Sequence, residues 1–208
     1  MFTGIIKLLG VIDSVKPLTD GIAVAIACDT SILDIELGDS IAVNGVCSTV
    51  VEFTDSHFIV HYLQETLRVT TFNTLTVGSY VNLEPSLTLQ TKLSGHYVSG
   101  HIDGLGKIIE LEQSDPWGKI VVSFEEDLSS FLIYKGSIAL DGISLTISHL
   151  SSTSLTCHII PHTFEQTVIK YYDIGKEINI ECDMIGKYVV NAATVSYTHL
   201  TLPTTPYV

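Results

Sequence analysis

Ser40-Ile-Ala-Val-Asn-Gly-Val-Cys-Ser-Thr49 and Ser137-Ile-Ala-Leu-Asp-Gly-Ile-Ser-Leu-Thr146 share one pattern, and they stand 137 − 40 = 97 residues apart. The same offset pairs Thr66 with Thr163, Thr70 with Thr167, Gly78 with Gly175, Asn82 with Asn179 and Glu84 with Glu181. Carried back to the start of the chain, it pairs Ile5 with Ile102 and sets Gly4 against His101. A register held over about 80 residues is duplication, and two copies are too few for a stacked array. The expectation is two similar domains, one over residues 1–90 and one over 91–186, with a tail over 187–208. Pro85 and the polar run Thr88, Gln90, Thr91 and Lys92 mark a linker between Ser86 and Leu93.

Each copy reads as β-rich. Gly21–Cys28, Ser40–Glu52, His57–Leu63 and Ser79–Glu84 are short runs rich in β-branched residues. Their partners are Leu105–Leu111, Lys119–Phe124, Gly136–Leu140, Ile143–Leu150, Ser154–Ile160 and Glu177–Cys182. Turn residues such as Gly38-Asp39, Asn44-Gly45 and Thr54-Asp55-Ser56 separate them. That spacing predicts an all-β chain with a barrel or sandwich in each half. Short helices are expected at Glu65–Val69 and Thr163–Tyr171, with others at Asp29–Leu37 and Asp127–Tyr134. A helix is expected to begin near Met184. From Thr194 onward, threonines, β-branched residues and two prolines show no apolar helical period, so a disordered or loosely attached tail is expected.

The bulk composition excludes several classes. A chain that is 46% hydrophobic and 16% charged is not a disordered one. No apolar run approaches the length of a membrane span. The N-terminus lacks a basic segment, an apolar stretch and a small-residue cleavage site, so no secretory signal is expected. A net charge of −13 disfavours nucleic acid and anionic membranes as partners. Cys28, Cys47, Cys157 and Cys182 form no CxxC pair and read as reduced thiols, which places the protein in the cytoplasm. No phosphate loop, dinucleotide fingerprint or nucleophile elbow occurs. His96 and His101 lack Cys or carboxylate companions at metal spacing, so no metal is expected.

The polar residues of the repeated phrase carry more. Alternation along a strand puts Cys47 and Thr49 on one face, and likewise Ser144 and Thr146. A turn followed by strand-forming residues would explain the phrase by itself. The two copies, however, keep the frame and change the chemistry: Asn44 becomes Asp141, Cys47 becomes Ser144 and Glu65 becomes His162. Two like pockets with unlike polar groups suit a reaction whose two substrate molecules play different parts.

These residues resemble the riboflavin synthase family. The resemblance rests on Met1-Phe-Thr-Gly-Ile5, Asn44-Gly45 with Cys47 and Thr49, and Glu65-Thr-Leu-Arg68 with Thr70. It continues in Ser94-Gly-His-Tyr-Val-Ser-Gly-His101, Tyr134-Lys-Gly136, Asp141-Gly-Ile-Ser-Leu-Thr146 and Ile160-Pro161 with Thr163, and it covers residues 1 to about 188. It implies two tandem six-stranded Greek-key barrels, each binding one 6,7-dimethyl-8-ribityllumazine, with a C-terminal helical or irregular segment. It implies transfer of a four-carbon unit between the two lumazines, giving riboflavin and 5-amino-6-(ribitylamino)uracil without metal or organic cofactor. It also implies a homotrimer with its active site between barrels of neighbouring subunits, and possible association with lumazine synthase.

Carried over residue by residue, the resemblance nominates Ser40, Cys47, His101, Ser144, Thr146 and Asp183 as catalytic. Ligand contacts fall on Phe2, Gly4, Ile5, Ile6, Cys47, Ser48, Thr49, and on His61, Tyr62, Leu63, Gln64, Glu65 and Thr66. They continue through Gly100, His101, Ile102, Lys135, Ser144, Leu145, Thr146, and then Ile159, Ile160, Pro161, His162, Thr163 and Phe164. His61 stands where the family commonly has aspartate, His162 where it has glutamate, and Ser48 where it has a larger apolar residue. The Thr- and Pro-rich tail replaces most of the family's trimer-forming helix, so weakened trimer formation is expected. Two other readings share the β architecture: a non-catalytic lumazine- or flavin-binding antenna protein, and an interaction module unrelated to flavins. Absorbance of the purified protein with and without lumazine separates the second from the rest.

Overall fold

The fold was read from a computed structural model in which residues 1–113 and 117–197 are described. Two closed antiparallel barrels follow each other along the chain. The first comprises β1 (Leu8–Leu18), β2 (Gly21–Ala27), β3 (Ser40–Val43), β4 (Val46–Phe53), β5 (His57–Leu63) and β6 (Tyr80–Pro85). Around the barrel the order is β1-β2-β5-β4-β3-β6, which is a Greek key. The second comprises β7 (Gly104–Glu112), β8 (Gly118–Phe124), β9 (Ser137–Leu140), β10 (Ile143–Leu150), β11 (Ser154–Ile159) and β12 (Glu177–Cys182), in the equivalent order. Closure leaves no sheet edge to protect. Alternate residues fill each interior: Ile12, Ile26, Val60 and Leu83 in the first, Ile108, Val122, Leu155 and Ile180 in the second.

Short helices lie where each copy passes from its fifth strand to its sixth. They are α1 (Gln64–Val69) and α2 (Pro161–Gln166). The helix expected over Thr163–Tyr171 instead starts at Pro161, whose missing N–H suits a first helical turn, and gives way at Thr167 to a 3-10 turn over Val168–Tyr171. The helices expected at Asp29–Leu37 and Asp127–Tyr134 are 3-10 turns confined to Thr30–Ile32 and Glu126–Phe131. β1, which the sequence patterns do not mark, has Gly10, Asp13 and Pro17, residue types depleted in strands, within its run and carries a bulge between Ile12 and Ser14.

The barrels differ from the expected register in one respect. The bulge in β1 falls at Ile12/Ser14 and its partner in β7 at Ile108/Glu110, which is 108 − 12 = 96 residues away. The bulges of β4 and β10, at Val50/Glu52 and Ile147/His149, are 97 apart. The offset changes between β2 and β3, because the second copy has one residue more from Phe124 to Lys135 than the first has from Cys28 to Gly38. Cys28 and Phe124 donate to equivalent carbonyls, as do Gly38 and Lys135, and the two spans differ by that residue. Gly4 therefore matches Gly100, not His101, and Ile5 matches His101, not Ile102.

The two copies exchange contacts across a pseudo-twofold axis. Ile6 packs on the core of the second barrel and Ile102 on that of the first. Phe2 and Val98 pair as an isolated bridge, buried with Ala42 and Ala139. On another side Asn82 and Asn179 interlock. The Asn179 side chain accepts from Thr71 N at 2.8 Å and donates to Asn44 O at 2.9 Å. Asn82 accepts from Val168 N and donates to Asp141 O, each at 2.9 Å. Both asparagines are fully buried, so these bonds have no solvent to replace them.

The C-terminal helix α3 (Met184–Tyr197) runs six residues past Asn191. Asp183 caps it, accepting from Ile185 N at 3.0 Å. Lys187 ties it to the second barrel through both oxygens of Asp103, at 2.9 and 2.8 Å. The tail expected after Thr194 is thus helical as far as Tyr197, and its remainder, 198–208, lies outside the described residues.

Candidate active site

Each barrel presents the outer face of its β3–β4 or β9–β10 hairpin to a loop from the other copy. In β4, Cys47 and Thr49 face outward while Ser48 is buried; in β10, Ser144 and Thr146 face outward while Leu145 is buried. The alternation read from the sequence is borne out. The loop over Ser144 is Thr3-Gly4-Ile5, and Ser144 N donates to Gly4 O at 2.7 Å. The loop over Cys47 is Ser99-Gly100-His101, and Cys47 N donates to Gly100 O at 2.9 Å. Glycine is required at both places. Gly4 sits at φ +76 and a Cβ there would lie 2.6 Å from Ser144 Cβ; Gly100 sits at φ +83 with Cys47 Cβ at 2.7 Å.

Two buried carboxylates hold these loops. Glu84 accepts from Thr3 N and Oγ1, at 2.7 and 2.6 Å, and from Gly4 N at 3.0 Å. Glu181 accepts from Ser99 N and Oγ, each at 2.6 Å, and from Gly100 N at 2.9 Å. Burial raises the pKa of Glu84, and these donors oppose the rise.

A cavity of about 330 Å³ opens on the second barrel. Ile5, Ser144, Leu145, Thr146, Ile160 and Thr163 line it together with Ser94, Gly95, Ser137 and His158. The first six were expected from the sequence, and the last four were missed. Ser137 and His158 could have been found by adding the repeat offset to Ser40 and His61. In the first barrel the corresponding positions are Ser40, Cys47, Ser48, Thr49, His61, Leu63 and Thr66, with His101 in the place of Ile5. Ser40 and Ile5 line a neighbouring cavity of about 510 Å³. His101 lines one of about 560 Å³ against α3, with Asp103, Lys187 and Asn191.

Several nominated residues turn away from these surfaces. Ser48, Tyr62 and Ile159 point into the barrel interiors, and Leu145, though it borders the cavity, packs in the second core; Ser48 Oγ lies 2.7 Å from the Tyr62 hydroxyl. Phe2 is fully buried as an anchor between the copies, with Cys47 packed against its cluster. Phe164 packs on the second barrel's core. Lys135 sits in a left-handed turn with its ammonium 5.1 Å from the Tyr134 ring. His162, Gln64 and Glu65 are exposed on the short helices, Glu65 paired with Arg68 at 2.6 Å.

His96 and His101 do not converge: His101 follows the loop over Cys47, and His96 meets Ser144. The His96 Nδ1 lies 2.7 Å from Ser144 Oγ. Burial lowers the His96 pKa, and the Asp183 carboxylate opposes that shift.

A model of the lumazine binding domain matches residues 3–86 and again 99–183. The riboflavin synthase of Bacillus subtilis (strain 168) is 44% identical over 189 residues, covering 91% of this chain and 88% of that protein. The chain belongs to the riboflavin synthase family of enzymes. The riboflavin synthase of Schizosaccharomyces pombe is 37% identical over 192 residues, covering 90% of this chain and 91% of that one. The two matched domains start 99 − 3 = 96 and end 183 − 86 = 97 residues apart, which agrees with the change of offset seen in the bulges. Crystal structures of LumP, one with 6,7-dimethyl-8-(1'-D-ribityl)lumazine and one with riboflavin, share the fold with TM-scores of 0.79 and 0.81 at 24% identity. Each covers 88% of this chain and 99% of its own. Among the described residues no helix is long and apolar enough to cross a membrane.

Proposed function

We propose that the chain catalyses the dismutation of two molecules of 6,7-dimethyl-8-ribityllumazine to riboflavin and 5-amino-6-(ribitylamino)uracil. The observation that carries this is that two equivalent hairpin faces differ at two polar positions. Over β3–β4 stand Cys47, Thr49 and His61 beneath the loop that ends in His101; over β9–β10 stand Ser144, Thr146 and His158 beneath the loop that ends in Ile5. A symmetric binder of two identical ligands has no need of that difference, whereas a reaction that makes one ligand donor and the other acceptor does.

The chemistry balances without a cofactor. One lumazine loses a proton from its C7 methyl, and the ring system delocalises the resulting carbanion. The carbanion attacks the second lumazine, and a four-carbon unit passes from one ring to the other. Together the two products hold every atom of the two substrates, so no oxidant or reductant is consumed. His101 and Ser144 are the candidates for proton transfer, since a group that moves the methyl proton must come within hydrogen-bond reach of it. Cys47, or Ser144 with Thr146, supplies the group that activates or adds to the acceptor ring, as a thiolate in the case of Cys47. Holding the two rings together supplies a large effective concentration.

Helix α3 supports a family-type trimer in which the first pocket of one chain meets the second pocket of the next. Its Ile185, Tyr188 and Val189 are exposed by 59%, 71% and 62%. The test is incubation with the lumazine alone while riboflavin fluorescence is followed, on the full chain and on a chain cut after Asn191. The full chain is expected to yield one riboflavin for every two lumazines consumed. The cut chain, lacking the last six residues of α3, is expected to sediment as smaller species and turn over more slowly. Lumazine binding without any riboflavin from a trimeric full chain would establish the antenna-type reading instead.

A further inference from the structure

We propose that His96 is a positioning residue that fixes the Ser144 hydroxyl in the second pocket. The inference rests on the enzyme reading above and adds to it a group from outside the repeat. Ser94-Gly95-His96 lies between the two matched domains, which end at residue 86 and resume at residue 99.

The backbone of this segment is pressed into place. A Cβ on Gly95 would lie 2.1 Å from Thr3 O and 2.9 Å from Ser144 Oγ, so only glycine lets the chain pass there. His96 N donates to Thr3 O at 3.1 Å, and Thr3 is itself held by Glu84. A line of hydrogen bonds thus runs from Glu84 through Thr3 and His96 to Ser144.

The ring is placed for one of its nitrogens only. Its Nδ1 meets Ser144 Oγ at 2.7 Å, while Nε2 is buried with no hydrogen-bond partner among the described residues. A side chain kept for packing alone would serve better without a buried, unsatisfied nitrogen. The Ser144 backbone is already fixed by its bond to Gly4 O, which leaves rotation about Cα–Cβ as the freedom of its hydroxyl. His96 removes that freedom and holds Oγ at the wall of the cavity shared with Thr146, His158 and Thr163.

The test uses the full chain and a double-mutant cycle. His96→Ala and His96→Gln are expected to lower kcat by about 10- to 100-fold, as a misplaced reacting group does. His96→Asn puts a side-chain amide atom near the position of Nδ1 and is expected to recover kcat to within about threefold of wild type. In a Ser144→Ala background, His96→Gln is expected to cost less than about twofold, because nothing remains to be positioned. Equal losses in both backgrounds would make His96 a packing residue and overturn the proposal, as would a His96→Asn enzyme no better than His96→Gln. His96→Gln keeps most of the volume and decides the matter if His96→Ala fails to fold. A wild-type chain that makes no riboflavin sinks the enzyme reading but not this one. A fluorescence titration resolving two lumazine sites per chain then reads His96 directly: one site is weakened in His96→Gln and spared in His96→Asn, or the proposal falls.

Discussion

The loop over Cys47 ends in His101, and the loop over Ser144 ends in Ile5. Glu84 and Glu181 hold the two loops in the same way, and glycine is required at the same point in each. At the axis, Asn44 in one copy is Asp141 in the other; within the barrels, Ser48 and Tyr62 answer to Leu145 and Ile159. Backbone pairing and the buried amides are common to both copies, and the side chains that face the cavities or fill one interior position are not. Duplication supplied a frame that tolerates divergence wherever the frame's own hydrogen bonds are untouched.

The largest test of that comparison attacks the shared frame. Asn179→Ala leaves Thr71 N and Asn44 O without partners between the barrels. Each orphaned group costs about 1–3 kcal/mol, so a loss of roughly 2–6 kcal/mol is expected in urea unfolding. Asn82→Ala should cost about the same, since it orphans Val168 N and Asp141 O. Clearly unequal losses would show that the axis is less symmetric than its hydrogen bonds.

Gly4→Ala follows. The new Cβ would meet the Ser144 backbone at 2.8 Å, which a side-chain rotation cannot relieve, at a φ of +76. A cost of roughly 2–4 kcal/mol and loss of ligand from the second pocket are expected. Gly78→Ala is the control, because its φ is +89 but nothing lies within 4 Å of the added carbon; about 1 kcal/mol is expected there. Similar losses at the two glycines would mean that backbone conformation, not contact with Ser144, sets the requirement.

Much of the frame was legible in the residues. The repeated phrase, the strand runs and the outward pairs Cys47/Thr49 and Ser144/Thr146 follow from spacing alone. The one-residue change of offset was hidden because it falls in the loops between Cys28 and Gly38 and between Phe124 and Lys135, where no shared motif marks the register. That loss misassigned Gly4 and Ile5 by one position and concealed the contrast between Ile5 and His101. β1 was missed because Gly10, Asp13 and Pro17, residue types depleted in strands, interrupt its apolar run. His96 was missed because it lies outside the repeat, and its partner Ser144 is 48 residues away. The inward turn of Ser48 and Tyr62 was implicit in the same alternation that exposed Cys47, but family positions that border a ligand through backbone atoms do not reveal where the side chain goes.

Asp141 offers a smaller and pH-dependent test. Its carboxylate accepts from Asn179 N at 2.9 Å and from the Tyr172 hydroxyl, deep at the axis, and burial pushes its pKa up to about 6. Tyr172 and Asn179 oppose that rise by donating hydrogen bonds, and Lys176 by its charge. The folded-state value lies above the unfolded 3.8, so the folded protein binds the proton more tightly. Its contribution to stability is full below about pH 4 and is lost as the pH rises through about 6. At about 1.4 kcal/mol per pH unit the loss amounts to about 3 kcal/mol by pH 8. Asp141→Asn should remove this slope and stabilise the chain at pH 8 by up to that amount, since Asn44 makes the equivalent bond to Asn82 N at 2.7 Å with an amide. A variant whose stability still falls between pH 4 and pH 8 by the wild-type amount would place the titrating group elsewhere.

The smallest effect asked for is a coupling between two interior positions. In the first barrel Ser48 and Tyr62 share a hydrogen bond of 2.7 Å, and the tyrosine ring packs on Phe72 with centroids 4.5 Å apart. In the second barrel Leu145 and Ile159 occupy the same two places, with the larger volume moved toward the hairpin. Ser48→Leu alone should crowd the tyrosine and strand its hydroxyl, and Tyr62→Ile alone should leave a void beside Ser48, whose hydroxyl keeps its bond to Val46 O at 2.9 Å. Each single change is expected to cost roughly 2–4 kcal/mol. Ser48→Leu with Tyr62→Ile rebuilds the arrangement of the second barrel. It should therefore cost less than the sum of the singles, by at least about 1–2 kcal/mol of coupling in thermal or urea unfolding. Additive losses would mean that the two barrels, though matched in backbone, pack their interiors by different rules, and that Ser48 and Tyr62 are not simply a polar exchange for Leu145 and Ile159.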